Sequence, residues 1–293
     1  MRRFVDLHTH STASDGSLPP AEVMRRADAR NLAAVALCDH DTVAGLAEAR
    51  AAAAERPGLG FVAGVEFSAR PIAGTLHILG LGICPEAPSV LALAERLRRA
   101  RQERNPRIVA RLRELGLAID MADVRRAAGA AADDEHAVLG RPHVARALVA
   151  KGLAADPPEA FRRYLARGRP AYVERERPAP AETIAGIHDG GGLAVAAHPV
   201  HWSCANRAQL ERVLRSLVGC GLDGVEAYHP DHGPEQTRAL LELARRLGRI
   251  VTGGSDFHGA HKPGVRLGRP KVPVTAVGRD VLDDLLARSG RGD

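Results

Sequence analysis

Short apolar runs recur along this chain at 4–7, 33–37, 60–65, 75–81, 193–196, 223–225 and 250–252, and most are followed within two residues by histidine or a carboxylate. Between them, 20–30, 41–55, 207–217 and 234–247 carry helical patterns, several ending near Gly or Asn. Strands alternating with helices predict an α/β domain with parallel strands. A barrel is the expected closure, and side chains that do chemistry then gather at the C-terminal ends of the strands.

From about residue 91 to 173 the rhythm stops, and the chain reads as consecutive helices: a long arginine-rich one, then 121–128, 143–150 and 158–165. The links are Ala- and Gly-rich at 127–132 and Pro-rich at 177–180. The expected organisation is a barrel formed by 1–98 and 174–293, carrying an inserted helical domain, 99–173, that caps the substrate.

At 293 residues and 45% hydrophobic content the chain can bury a large core. No run approaches the roughly 20 apolar residues of a membrane span, and residues 1–6 lead directly into a strand rather than an export signal. Cys38, Cys84, Cys204 and Cys220 form no C-x-x-C pair, which reads as free thiols and points to a cytoplasmic location. The formal charge of +6 comes from arginine, with lysine only at 151, 262 and 271. Arginine suits bidentate phosphate contact, but an excess spread over solvated helix faces does not establish a nucleic-acid partner.

The strand ends carry the chemistry. His8-Thr9-His10 and then Asp15 follow the first run, Asp39-His40-Asp41 the second and Glu66 the third; His77 lies in the fourth, and His198 and Asp256-Phe257-His258 follow later ones. In an extended segment residues i and i+2 point to one side, about 6 to 7 Å apart, so His8 with His10, and Asp256 with His258, can reach into one cavity. Each piece alone has a plainer account. A lone His-x-His is more often structural, Asp39 to Asp41 could cap a helix, and His77 could be a satisfied core histidine. Their joint placement at successive strand ends favours metal ligation. Imidazole with some carboxylate selects Mn, Fe or Zn over Ca or Mg, and Glu66 has two oxygens with which to bridge two ions.

The stretches Asp6-Leu7-His8-Thr9-His10-Ser11, Ser14-Asp15-Gly16, Cys38-Asp39-His40-Asp41-Thr42, Glu66, His77, Ala197-His198-Pro199 and Gly254-Ser255-Asp256-Phe257-His258-Gly259 together resemble the PHP (polymerase and histidinol phosphatase) superfamily. The resemblance implies a distorted (β/α)7 barrel around three divalent metal ions, Mn2+ first with Fe2+ or Zn2+ as alternatives. It assigns one ion to His8, His10, Glu66 and Asp256, a second to Glu66, His77 and His198, and a third to Asp15, His40 and His258. Cys38 replaces a usual threonine and Asn31 a usual glycine. Three divalent ions, offset by Asp15, Glu66 and Asp256, leave an excess of about +3 for hydroxide and an anionic substrate, and attack on phosphorus by a bridging hydroxide is expected.

Within that superfamily the insert, with Arg101, Arg104-Asn105, Arg107 and Gly140-Arg141-Pro142-His143, resembles a group that removes the 3′-phosphate of nucleoside 3′,5′-bisphosphates and degrades short 5′-phosphorylated RNA from its 5′ end. Arg104, Asn105, Arg141 and His143 are the implied grip on the 5′-phosphate, although arginines on a helix are usually a solvated face. His201, His229, Tyr228 and His232 also follow strands and could contact substrate or donate a proton, and Trp202 could stack on a base or line a buried rim. No obligate protein partner is expected. Three alternatives remain. A histidinol-phosphate phosphatase would share the metal site. An amidohydrolase often adds a carboxylated lysine, yet no lysine precedes Lys151. A non-catalytic polymerase-associated module predicts lost ligands, and none of the nine is lost.

Overall fold

The computed structural model describes residues 3–72, 74–129 and 138–290. The chain divides into two compact units, Met1–Glu95 with Arg177–Asp293, and Arg96–Glu176. The first unit is the expected α/β barrel. Its strands are β1 (Phe4–Thr9), β2 (Ala34–Leu37), β3 (Gly60–Ala69), β4 (Leu76–Leu81), β5 (Leu193–Ala196), β6 (Gly224–Tyr228), β7 (Ile250–Gly253) and a short β8 (Val272–Pro273). They form one sheet in the order β7-β6-β5-β4-β3-β2-β1-β8. Beyond the ends of β1 and β7 the ring is drawn together by two bonds, Asp256 N to His8 O at 2.9 Å and His10 N to Phe257 O at 2.9 Å.

Two features depart from a uniform parallel barrel. β4 runs antiparallel to both β3 and β5, because β3 turns directly into it. β8, which apolar periodicity does not announce, pairs antiparallel with β1. The interior is shared by Val5, Leu7, Ala36, Val62, Leu79, Leu81 and Val195, with Leu282 and Leu285 of the terminal helix packed on them.

The barrel helices are α1 (Pro20–Ala29) and α2 (Leu46–Ala54), with α7 (Pro180–Asp189), α8 (Arg207–Gly219), α9 (Pro234–Leu247), α10 (Val274–Val277) and α11 (Arg279–Ser289) after the insert. α2 starts five residues later than the 41–55 pattern suggested, and its N-cap is Gly45. Asp41 is not a cap: it sits at φ +56° and accepts hydrogen bonds from Ser68 N at 2.7 Å and Ser68 Oγ at 3.1 Å.

The long α3 (Pro88–Glu114) leads into the second unit, which adds α4 (Met121–Ala127), α5 (Arg141–Ala150) and α6 (Pro157–Ala160). The helix expected at 158–165 is a short α6 followed by a π-helical turn at Phe161–Leu165. Ile108, Leu112, Val124, Val144, Leu148, Tyr164 and Leu165 give this unit its own core. The Ala- and Gly-rich link at 127–132 lies outside the described residues from 130 onward. Among the described residues no helix is long and apolar enough to cross a membrane.

Candidate metal centre

Glu66, fully buried on β3, is the hub. Its Oε1 lies 2.7 Å from His77 Nδ1 and 2.8 Å from His198 Nε2. Its Oε2 lies 2.9 Å from His40 Nδ1, 3.3 Å from His10 Nε2 and 3.4 Å from His8 Nε2. Parallel strands deliver their ligands at their ends, as the pleat requires. β4 delivers His77 near its beginning, because a reversed strand brings its start to the end of the barrel where the others finish. Residues 39–41 continue alongside β3, joined by Asp41 N to Glu66 O at 3.0 Å and Glu66 N to Asp39 O at 3.2 Å, which sets His40 beside Glu66.

On the other side, Asp256 Oδ1 lies 3.1 Å from His10 Nε2 and 3.7 Å from His8 Nε2. Asp15 Oδ1 is 3.1 Å from His258 Nε2 and its Oδ2 is 3.9 Å from His40 Nε2. All nine expected ligands thus meet in one hollow. Four overlapping sets, His10-Asp15-His40-His258, His8-His10-Asp256, His8-Glu66-His198 and His40-Glu66-His77, each have donor atoms within 4.8 Å of one another.

The donor set fits divalent cations better than it fits hydrogen bonding. Ligand atoms held about 2.0 to 2.2 Å from a shared ion stand roughly 3 to 3.5 Å from each other. The observed spacings run from 2.7 to 3.9 Å and straddle that range, and they include the two imidazole nitrogens His8 Nε2 and His10 Nε2 at 3.1 Å. Glu66 Oε2 is buried yet makes no hydrogen bond, which for a deeply buried acceptor is costly unless something else satisfies it.

The electrostatics agree. Burial raises the pKa of Glu66, Asp15 and Asp256, but the surrounding imidazoles, His40 and His77 foremost at Glu66 and His258 at the other two, outweigh it and hold all three well below the usual carboxylate range. Burial lowers the pKa of His8, yet Glu226, Glu66 and Asp256 together push it well above its ordinary value. His77 is pushed down to about 4, chiefly by burial, and so offers a neutral ring.

Further carboxylates outside the ligand set hold this arrangement in place. Asp39 accepts Ser11 N at 2.8 Å, Ser11 Oγ at 2.6 Å and Ser14 Oγ at 2.6 Å, tying down the loop that bears Asp15. Asp6 accepts Ser255 N at 2.8 Å, Ser255 Oγ at 2.6 Å and Gly268 N at 2.7 Å. Glu226, inside β6, contacts His8 Nδ1 at 3.0 Å. A lone charge within an otherwise apolar run was the available signal for Asp6, and a position directly after the 223–225 run was the signal for Glu226. His198 (φ +27°) and Asp256 (φ +51°) adopt left-handed backbone, the kind of strain that concentrates at functional sites.

A cavity of about 270 Å3 opens beside Glu66, His77, His198 and Asp256, with His201 and Lys262 on its wall. Lys262, unmarked by the sequence pattern, places its ammonium against Asp256 Oδ2. His201 pairs with Asp231 at 3.1 Å. His229 is buried, accepts Asp231 N at Nδ1 (3.1 Å) and approaches Asp256 Oδ2 through Nε2 (3.4 Å), so it stands behind a ligand. Trp202 is fully buried.

In the second unit the four expected phosphate-binding residues lie around the start of α5. Arg104 Nη2 donates to Asn105 Oδ1 at 2.8 Å, and Asn105 Nδ2 donates to Leu139 O at 2.9 Å. His143 Nδ1 accepts Gly140 N at 2.8 Å, while Arg141 reaches Leu165 O at 3.1 Å and stacks over Tyr172. Arg104, Asn105 and His143 are all buried.

Comparison with known proteins finds relatives along most of the chain. The PHP domain model matches residues 6–136. The chain is 36% identical over 284 residues to a 3′,5′-nucleoside bisphosphate phosphatase of Chromobacterium violaceum, covering 97% of each. It is 35% identical over 258 residues to a 5′-3′ exoribonuclease of Haemophilus influenzae, covering 88% of this chain and 91% of that protein. A solved structure from Bifidobacterium adolescentis, a candidate metal-dependent phosphoesterase, matches with a TM-score of 0.84 at 34% identity over 96% of both chains. A hollow of imidazoles and carboxylates with the donor spacing of a divalent-ion site, on this fold and with these relatives, makes the chain a member of the PHP-domain family and a metal-dependent phosphoesterase.

Proposed function

We propose that this protein removes the 3′-phosphate from nucleoside 3′,5′-bisphosphates and trims short 5′-phosphorylated RNA in the 5′-to-3′ direction, using three divalent ions with Mn2+ as the first choice. The count of three is the one the family resemblance implies, and the observation that supports a site for more than one ion is the clustering of nine ligand-type side chains into four overlapping sets that share His8, His10, His40 and Glu66. The activities of the two relatives, a 3′,5′-nucleoside bisphosphate phosphatase and a 5′-3′ exoribonuclease, support the choice of substrate.

When bound, the ions would polarise the phosphoryl group and lower the pKa of water from 15.7 toward about 7. The chain's own residues do the rest. Asp15, Glu66 and Asp256, kept ionised by their imidazole neighbours, balance part of the cationic charge and leave the hollow attractive to a dianion. Lys262, on the cavity wall, is placed to meet a phosphate oxygen. His201, braced by Asp231, stands at the same wall and would hand a proton to the departing ribose 3′-oxygen, leaving it as a hydroxyl. In the insert, Arg104, Asn105, Arg141 and His143 would hold the 5′-phosphate, which a histidinol-phosphate phosphatase would not need.

The test is phosphate release from adenosine 3′,5′-bisphosphate, adenosine 2′,5′-bisphosphate, histidinol phosphate and a dihydroorotate-type amide, each at saturating Mn2+. Preference for the 3′,5′-bisphosphate by at least tenfold in kcat/KM is expected. Faster hydrolysis of histidinol phosphate or of the amide overturns the substrate assignment, and metal uptake without any turnover favours a non-catalytic module.

A further inference from the structure

Glu226 belongs to none of the nine ligands, yet it is fully buried in β6. Among the described residues, both of its hydrogen bonds end on ligand-bearing residues. Oε1 faces His8 Nδ1 at 3.0 Å, and Oε2 accepts the backbone N–H of His198 at 2.7 Å. We propose that Glu226 is a positioning residue for the metal centre, fixing the tautomer of His8 and the backbone of His198 so that both rings turn Nε2 toward Glu66.

The argument is one of proton inventory. A carboxylate has no hydrogen to give, so the ring atom facing it, His8 Nδ1, must carry one. The lone pair of neutral His8 then sits on Nε2, the nitrogen that lies 3.1 Å from His10 Nε2 and 3.4 Å from Glu66 Oε2. Imidazoles that bind metals commonly donate their second N–H to a carboxylate in this way, which also makes them stronger ligands. The second oxygen acts on the main chain. His198 is held at φ +27°, ψ +67°, an unfavourable conformation for a residue with a side chain, and the bond from its N–H to Glu226 helps to keep it there. From that backbone its Nε2 reaches Glu66 Oε1 at 2.8 Å. One buried side chain thus orients two ligands that the sequence places 190 positions apart.

Glu226→Gln keeps the shape and removes the symmetry. One side of an amide donates, so either His8 Nδ1 or His198 N meets a donor instead of an acceptor. If the donor faces His8, the proton moves to Nε2, where it blocks ligation.

The inference rests on the metal-centre reading, and the experiment separates the two. Wild-type, Glu226→Gln, Glu226→Asp and Thr252→Val proteins are stripped with chelator, then titrated with Mn2+ and, separately, with Co2+ followed by visible absorption. Thermal unfolding is recorded in the metal-free state. Thr252 is buried opposite Glu226 in the β6–β7 register, and its Oγ1 makes no hydrogen bond, so its variant controls for disturbance of the strand. Glu226→Gln is expected to weaken Mn2+ uptake by about 10- to 100-fold and to change the Co2+ spectrum, while Thr252→Val matches wild type. Wild-type uptake and an unchanged Co2+ spectrum in Glu226→Gln overturn the proposal, whatever happens to its melting temperature. Should Glu226→Gln not fold, Glu226→Asp, one methylene shorter, is judged by the same two readouts. A wild-type protein that takes up neither ion overturns the metal reading itself.

Discussion

Replacing Asp39 with alanine tests whether the carboxylates outside the ligand set hold the site together. Asp39 is buried and accepts three hydrogen bonds, from Ser11 N, Ser11 Oγ and Ser14 Oγ, at 2.6 to 2.8 Å. A hydrogen bond to a charged group contributes about 1.5 to 3 kcal/mol, and three on one acceptor are not additive, so a total near 4 kcal/mol is reasonable. Unfolding entropy is about 2.1 cal/mol/K per residue, so for a unit of roughly 200 residues that loss lowers Tm by about 10 °C. The measurement is thermal unfolding by circular dichroism in excess chelator, so that bound ions contribute nothing. Asp39→Asn keeps one accepting oxygen and should fall by about half as much. Because the loop held by Asp39 carries Asp15, both variants should also take up Mn2+ less tightly. A metal-free Tm for the alanine variant within about 2 °C of wild type would refute the reasoning.

Four further outcomes follow from the same geometry. Glu66→Gln, which replaces the oxygen pair that five imidazoles approach within 3.4 Å, should cut phosphate release by about a thousandfold or more, roughly 4 kcal/mol, with the fold retained; near-normal turnover removes it from the site. Arg141→Ala should raise KM by about tenfold for substrates bearing a 5′-phosphate with kcat little changed, as expected for lost uniform binding; an equal effect on substrates lacking that phosphate counts against the assignment. Lys262→Met should raise KM for phosphate esters while tightening Mn2+ uptake, since it removes a cation that competes for Asp256; uptake that weakens instead contradicts this role. The folded pKa of His8 is raised well above its ordinary value by Glu226, Glu66 and Asp256, which outweigh burial, and ligation needs its neutral form. Mn2+ affinity should therefore climb as pH rises toward that pKa, by up to about tenfold per unit, and a titration at pH 6, 7 and 8 that comes out flat or falling rejects the idea.

Much of this site was readable because a strand exposes its chemistry through period two. His8 with His10 and Asp256 with His258 declare themselves by spacing, and the end of an apolar run says where to look. Direction is what periodicity does not encode. The run at 75–81 looks like any buried strand, so nothing marked β4 as reversed or explained why its ligand comes at the beginning of the run. Asp41 misled for a related reason: an acid followed by Thr42 ahead of a helical pattern resembles a cap, while the structure uses its carboxylate to hold Ser68 across the sheet. Asp6 stood out as a charge in an apolar run and Glu226 as a carboxylate directly after one, but their duties depend on partners more than 200 residues away. Lys262 had no local signature, because its position beside Asp256 is set by the turn after β7.

The Asp6 clasp has a consequence for how the enzyme comes into being. That carboxylate, in the first strand, closes onto Ser255 and Gly268, and His8 and His10 share their hollow with Asp256. Contacts of such long range form late. At about 5 to 20 residues per second of synthesis, a growing chain would carry its leading pair of histidines for many seconds before their counterparts existed. Until residues 255–268 leave the ribosome the nascent protein is mute toward phosphate esters, so catalysis waits on synthesis of the last element that closes the barrel.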